Sequence, residues 1–143
     1  AKLAADLEAR ADTVSDIRAR IEKRAPEIEK EYAAKFKARV EEILGGVYEV
    51  PEERIALEAA IFADKANITE ELVRLGSHIS QLRKFLQSDG KEAIGKKTDF
   101  LIQEMNREAN TIGSKSNDRE ITSSMLELKA EIEKVREQVQ NIE

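Results

Sequence analysis

The stretch Arg119-Glu-Ile-Thr-Ser-Ser-Met-Leu-Glu-Leu-Lys-Ala-Glu-Ile-Glu-Lys-Val-Arg-Glu-Gln-Val-Gln-Asn-Ile-Glu143 decides the fold. Its apolar residues Ile121, Met125, Leu128, Ile132, Val135, Val139 and Ile142 advance in alternating steps of four and three. That spacing keeps one stripe of a helix apolar and leaves the other faces to charged and amide groups. Such a helix is marginal alone and must bury its seam against other helices. Asn117 or Asp118 can cap its start by accepting from amides that lack a partner inside the helix. The expected class is all-α, with long antiparallel helices forming a helical bundle or coiled-coil assembly.

Working back from this helix, the same period recurs and breaks only where Gly, Pro, Ser or Asp gather. The first of four segments uses Leu3, Leu7, Val14, Ile17 and Ile21, then Ile28, Tyr32, Phe36, Val40 and Ile43. Pro26 lacks a backbone donor and is expected to kink or interrupt this helix near Arg24. Gly45-Gly46 stops it, and Pro51 suits the start of the next. The second segment carries Ile55, Ala59 and Phe62, slips register near Asn67, and continues through Ile68, Leu72, Leu75, Ile79, Leu82 and Leu86. The slip resembles a coiled-coil stutter and predicts a local irregularity over 64–67. Ser88-Asp89-Gly90 ends that segment. Thr98, Ile102, Met105, Ala109 and Ile112 form the third stripe, closed by Gly113. Residues 1–50 thus read as a long helical arm kinked near Pro26, and 51–143 as a C-terminal helical domain.

Composition supports this reading. Charged residues make up 37% of the 143 positions and aromatics 4%, with two Pro and six Gly, which suits long helices better than a sheet. The net charge of −5 gives no global attraction to nucleic acid or membrane, so an anionic partner must find a local basic patch. No apolar run approaches membrane-spanning length. The absence of Cys excludes disulfides and thiolate metal sites.

Several polar positions carry chemistry. Asp64, Glu71 and His78 recur every seven residues on one stripe, and Arg74 stands one turn before His78, the chain's single histidine. A histidine beside carboxylates can serve as general base or metal ligand. Seven residues rise about 10.5 Å, so a second helix must complete any such site. Solvated or inter-helix-paired residues bordering a seam are the blander alternative. Glu104 and Glu108 are neighbours one turn apart whose repulsion a metal, a Lys, Arg107 or plain solvent can relieve, and a paired-carboxylate surface is the commoner case. Oxygen-rich ligands with at most one imidazole favour Mg²⁺ or Mn²⁺ over structural zinc, and no motif for an organic cofactor is present. Asp99, Gln103 and Arg107 form a further line that an intrahelical hydrogen-bond ladder also explains. Arg83, Lys84, Lys91, Lys96 and Lys97 stand against Asp89 and Glu92, a local net of +3. With the Gly95 amide, the start of the third helix can receive a phosphate.

The run Ala63-Asp64 with Glu70-Glu71-Leu72-x-Arg74-Leu75-x-x-His78 is followed by Gly95-Lys-Lys-x-Asp99-Phe100-Leu101-x-Gln103-Glu104-Met105-Asn106-Arg107-Glu108-x-Asn110-Thr111. After these come Ser114-Lys115-Ser116 and a terminal Arg136-Glu137-Gln138-x-Gln140-Asn141-Ile142-Glu143. This order resembles the C-terminal part of the YicC/YloC family of bacterial proteins, densely over residues 55–143. Gly76 and Thr98 are small departures from the family pattern. The resemblance implies a metal-dependent endoribonuclease of the bacterial cytoplasm that cleaves phosphodiester bonds in RNA. It also implies a homo-oligomer, a hexamer in the full-length protein, and no membrane partner. The distinct N-terminal domain of that family is expected to be missing here, which leaves the activity of the fragment by itself open.

By that resemblance His78, Glu108 and Glu71 are the expected catalytic residues, and Asp99, Glu104 and Glu108 the metal-binding carboxylates for Mg²⁺ or Mn²⁺. Arg74, Lys96, Lys97, Arg107 and Lys115 would contact RNA phosphates. The alternative is a non-catalytic helical oligomerisation module, with RNA binding and chemistry carried by the missing domain. The seam from Ile121 to Ile142 exceeds what a small bundle of segments two to four needs, so long helices are expected to pair between subunits near Val135 and Val139.

Overall fold

The computed structural model describes residues 2–87 and 91–141. Five helices follow one another: α1 (Lys2–Leu44), α2 (Glu52–Lys65), α3 (Thr69–Leu86), α4 (Lys91–Lys115) and α5 (Arg119–Gln140). The first half of α1 joins α3, α4 and α5 in a four-helix bundle, where α1 packs on α3 and α5, and α4 on α3 and α5. Neighbours run antiparallel. Along α1, Arg10, Arg20 and Arg24 pair with Glu131, Glu127 and Asp118, so one helix ascends as α5 descends. Arg83 near the end of α3 likewise meets Glu8 and Asp12 near the start of α1.

The seam residues expected of α5 are buried from Ile121 to Val139, among Leu7, Val14, Ile17 and Ile21 of α1 and Ile102, Met105 and Ile112 of α4 in one core. That burial changes the assembly argument. Val135 and Val139 are each about 1% exposed within one chain, so α1 and α4 supply the partners that a second subunit was expected to supply. Ile142 lies outside the described residues. Because Leu7 to Ile21 are core, a boundary at residue 50 does not separate an arm from a domain. Only the second half of α1 leaves the bundle, and α2 folds back along it, with Tyr32 stacked on Phe62 at 3.8 Å between ring centres.

Pro26 lies inside α1 without interrupting it. One missing donor costs about 3 kcal/mol, while packing on both sides of residue 26 holds the helix. Arg24 adds a clamp: it pairs with Glu31 one way and, through two nitrogens, with Asp118 the other. Asp118 is the cap of α5, its carboxylate accepting from the Ile121 amide at 3.1 Å.

The irregularity expected over 64–67 is a full break between α2 and α3. Asn67 Oδ1 accepts from the Thr69 amide at 2.9 Å, a turn that competes with the helix, while Ile68 anchors the break in the core. Asp64 is therefore exposed on a different helix from Glu71 and His78, and the seven-residue stripe does not extend to it. At the other end, α4 passes Gly113, where it was expected to stop, and runs to Lys115. The expected terminator Ser88-Asp89-Gly90 lies outside the described residues. Gly95 sits within α4, four residues past its start, so its amide belongs to the helical ladder and is not a free donor for phosphate.

Candidate metal and phosphate site

Helices α3 and α4 build the site by facing one stripe each. On α3 the stripe is Glu71, Arg74 and His78; on α4 it is Glu104, Glu108 and, two turns on, Lys115. Residues three, four and seven apart share a helix face, and antiparallel packing places the beginning of one stripe against the end of the other. Lys115 therefore meets Glu71, Arg74 meets Glu108, and His78 meets Glu104 and Glu108.

One ligand atom from each of His78, Glu104 and Glu108 lies within 4.8 Å of the other two. Neither nitrogen of the His78 ring is exposed, and neither is hydrogen-bonded to a described residue. Glu108 is 5% exposed, and its Oε1 accepts from Arg74 Nε at 2.8 Å. This contact, above all else, raises the Arg74 pKa and keeps the guanidinium charged. Arg74 also reaches Glu70 at 3.5 Å and Glu71 at 3.7 Å. Glu71 is 2% exposed and accepts from Lys115 Nζ at 2.7 Å. Burial alone would raise its pKa, but Lys115, a backbone amide and Arg74 together outweigh that and hold the carboxyl below its usual range. Lys115 also donates to the Asn67 carbonyl at 3.3 Å, tying the α2–α3 break to the end of α4.

The expected site residues divide into three groups. His78, Glu104, Glu108, Arg74, Glu71 and Lys115 come together across α3 and α4. Among these, Glu71 is held by Lys115 at 2.7 Å and faces Arg74 at 3.7 Å. Lys96 and Lys97 lie exposed on α4 upstream of Glu104, with Lys97 Nζ 5.4 Å from the centre of the Phe85 ring. Asp99 stands apart: it lies off the Glu104 stripe and acts electrostatically on Arg136 of α5. Arg107 is exposed, its backbone carbonyl accepting from Thr111, and no hydrogen bond joins it to Gln103 or Asp99. Sequence reasoning passed over Phe85 and Phe100, which line a groove beside the cluster. The available signal was Phe100's place one turn before Glu104.

Gly76 and Thr98 each have a distinctive setting. A Cβ at Gly76 would lie 3.0 Å from Arg18 Nε, and that nitrogen donates to the Leu72 carbonyl at 2.7 Å. Glycine thus lets a guanidinium lie flat on α3. Thr98 is fully buried with an unpartnered hydroxyl.

As a set, the cluster offers one imidazole and two carboxylates, with a guanidinium and an ammonium on its flank. Two acids one turn apart repel one another, and Arg74 offsets part of that repulsion at Glu108. The unpartnered His78 nitrogens fit a donor set for a hard divalent cation.

The family described as "Endoribonuclease YicC-like, C-terminal" matches residues 21–143. A protein of Clostridioides difficile (strain 630) named "Probable endoribonuclease YicC" is 49% identical over 142 residues, covering 99% of this chain and 48% of that protein. One of the same name from Haemophilus influenzae is 44% identical over 91 residues, covering 64% of this chain and 31% of that protein. The chain thus spans about half, or less, of the length of these relatives. With two helices presenting the motif residues to one another and the family match covering both, the chain belongs to the endoribonuclease YicC-like family, in its C-terminal region.

Proposed function

We propose that this helical region carries the metal-dependent cleavage centre of an endoribonuclease, with Mg²⁺ or Mn²⁺ held by His78, Glu104 and Glu108. The observation that carries the reading is the convergence of those three ligand atoms within 4.8 Å from facing helices. A hard cation would supply a polarised phosphate and a more acidic bound water. The chain's own groups do the rest. Arg74, exposed along half its side chain, is in reach of Glu108 on one side and a phosphate oxygen on the other. Its planar fork suits a phosphate that gains charge in the transition state. Lys115 adds a second positive charge at the far end of the stripe, and Glu71 fixes the position of both cations.

Phosphodiester cleavage also needs a proton taken from the attacking oxygen and one given to the leaving oxygen. Glu104 is only partly buried and suits the first role through the oxygen it does not offer to the ligand set, since among the described residues no cation pairs with its carboxylate. The substrate is RNA in this reading, and the setting is the bacterial cytoplasm; no described helix is long and apolar enough to cross a membrane. We further propose a homo-oligomer. Its contact region is the α1–α2 end, where Ile43, Val47, Tyr48, Leu57 and Ile61 are exposed, since the α5 seam is filled within the chain.

Cleavage of a structured RNA by the full-length protein tests the reading. His78→Ala and Glu104→Gln should each lower the Mn²⁺-dependent rate by two orders of magnitude or more, on the order of what a lost metal ligand or proton-transfer group costs. Rates within a few fold of the parent would instead favour the oligomerisation-module alternative.

A further inference from the structure

Beside the cluster, toward the start of α4, lies an open groove of about 380 Å³ lined by Gln81, Phe85, Lys96, Lys97, Phe100 and Leu101. Phe100 is 62% exposed, whereas its neighbour Leu101 is fully buried in the bundle. The phenyl ring therefore contributes little to the core. Lys97 leans over the Phe85 ring, and both Lys96 and Lys97 are exposed, with no carboxylate partner among the described residues. The combination is a flat apolar face with two cations and, among the described residues, no acid that pairs with them or lines the groove, on a chain whose net charge is −5.

That chemistry fits a planar ring tethered to phosphate. A nucleobase stacks on an aromatic face whatever its sequence, and nearby lysines neutralise the backbone. The register agrees. Phe100 precedes Glu104 by four residues, about 6 Å along the helix axis, a separation that one nucleotide can span. Lys97 precedes it by seven and lies on the Glu104–Glu108 stripe, so the phosphate beyond the stacked base falls beside an ammonium.

We propose that Phe100, with Lys96 and Lys97, forms a base-stacking subsite for the nucleotide adjacent to the scissile phosphate of single-stranded RNA. The placement relative to the scissile phosphate rests on the cleavage reading of the cluster above. The subsite holds the strand by stacking and charge, takes no part in proton transfer, and favours unpaired RNA because a base inside a duplex does not offer its face.

Fluorescence anisotropy of the 143-residue chain with 5′-fluorescein-labelled decauridylate tests this. EDTA in the buffer withholds the divalent cation. A decamer of the same ribose-phosphate backbone without bases is the second probe. Phe100→Ala should weaken decauridylate binding about tenfold, the scale of one stacked base, while Phe100→Tyr stays near the parent. Neither change should alter binding of the abasic decamer. Equal binding of decauridylate by the parent and Phe100→Ala would overturn the subsite, as would an equal loss on both probes or no binding by the parent at all. The two readings separate cleanly. A Phe100-independent affinity beside His78-dependent cleavage rejects the subsite alone, and a Phe100-dependent affinity beside cleavage indifferent to His78 rejects the cleavage reading alone. Because Phe100 is exposed, its replacement should leave helical content and melting unchanged.

Discussion

Glu71 engages two cations through one oxygen and none through the other. Its Oε1 receives Lys115 and faces Arg74, while Oε2 is buried without a partner. Removing the charge as Glu71→Gln leaves the shape but releases Lys115 and leaves Arg74 to Glu108, so RNA cleavage by the full-length protein should fall without loss of fold. Glu71 and Asp118 also set an acid limit on stability. Salt-bridged to Lys115 and to Arg24 respectively, both carboxyls bind a proton less readily folded than unfolded. Their contribution is therefore complete above the ordinary values of 4.5 and 3.8 and is lost as pH falls through the lower folded values. Urea unfolding at about pH 6 and about pH 3 should show the parent losing more stability than a Glu71→Gln, Asp118→Asn double variant. An equal loss would show that these two groups do not govern the acid limb. His78→Ala should change stability by less than about 1 kcal/mol, since the imidazole makes no hydrogen bond that its loss would break.

At the scale of elements, α1 is the informative case. Its sequence announces a helix on both sides of Pro26 but not that the two halves serve different neighbours. Pro26 is exposed within a continuous helix, so Pro26→Ala restores a backbone hydrogen bond without disturbing the core. A gain of about 1 to 3 kcal/mol in urea unfolding is expected, and a loss would mean that the proline sets a bend the packing needs. The seam of α5 could be read from Ile121 to Val139 because its period is unbroken, and of the two cap candidates Asn117 and Asp118 the structure uses the second. The α2–α3 break was legible only as a slip of register. Ile68 is apolar in either reading, and the deciding contact, Asn67 with the Thr69 amide, is a local competition that periodicity does not report. The pairing of His78 with Glu104 and Glu108 could be suspected from the stripes but not placed, because it depends on the antiparallel register of α3 and α4. Asp99 shows the limit of motif order: it falls in the same run as Glu104, but its position on the helix turns it toward α5.

For the whole molecule, the core is apolar and continuous across four helices, whereas the polar cluster lies on one flank. Fold and site should therefore respond to different perturbations. Leu128→Ala, at a fully buried position, should cost about 2 to 5 kcal/mol and lower the melting temperature. EDTA should leave helical circular dichroism and melting essentially unchanged while abolishing cleavage by the full-length protein; a large loss of helix on chelation would contradict a labile, non-structural metal. Light scattering should find an assembly larger than one chain that Leu57→Asp with Ile61→Asp reduces to monomer. Scattering from single chains alone at micromolar and higher concentrations would contradict the proposed contact region.

The site itself can be watched through one residue, because His78 is the chain's single histidine and its ring protons give separable signals in a proton NMR spectrum. Substoichiometric Mn²⁺ should broaden those signals selectively in the parent. The broadening should vanish in a Glu104→Gln, Glu108→Gln variant of unchanged helicity, since both carboxylates belong to the donor set that includes the imidazole. Imidazole signals that stay sharp at one equivalent of Mn²⁺, or that broaden equally in parent and variant, would contradict a metal centre between α3 and α4.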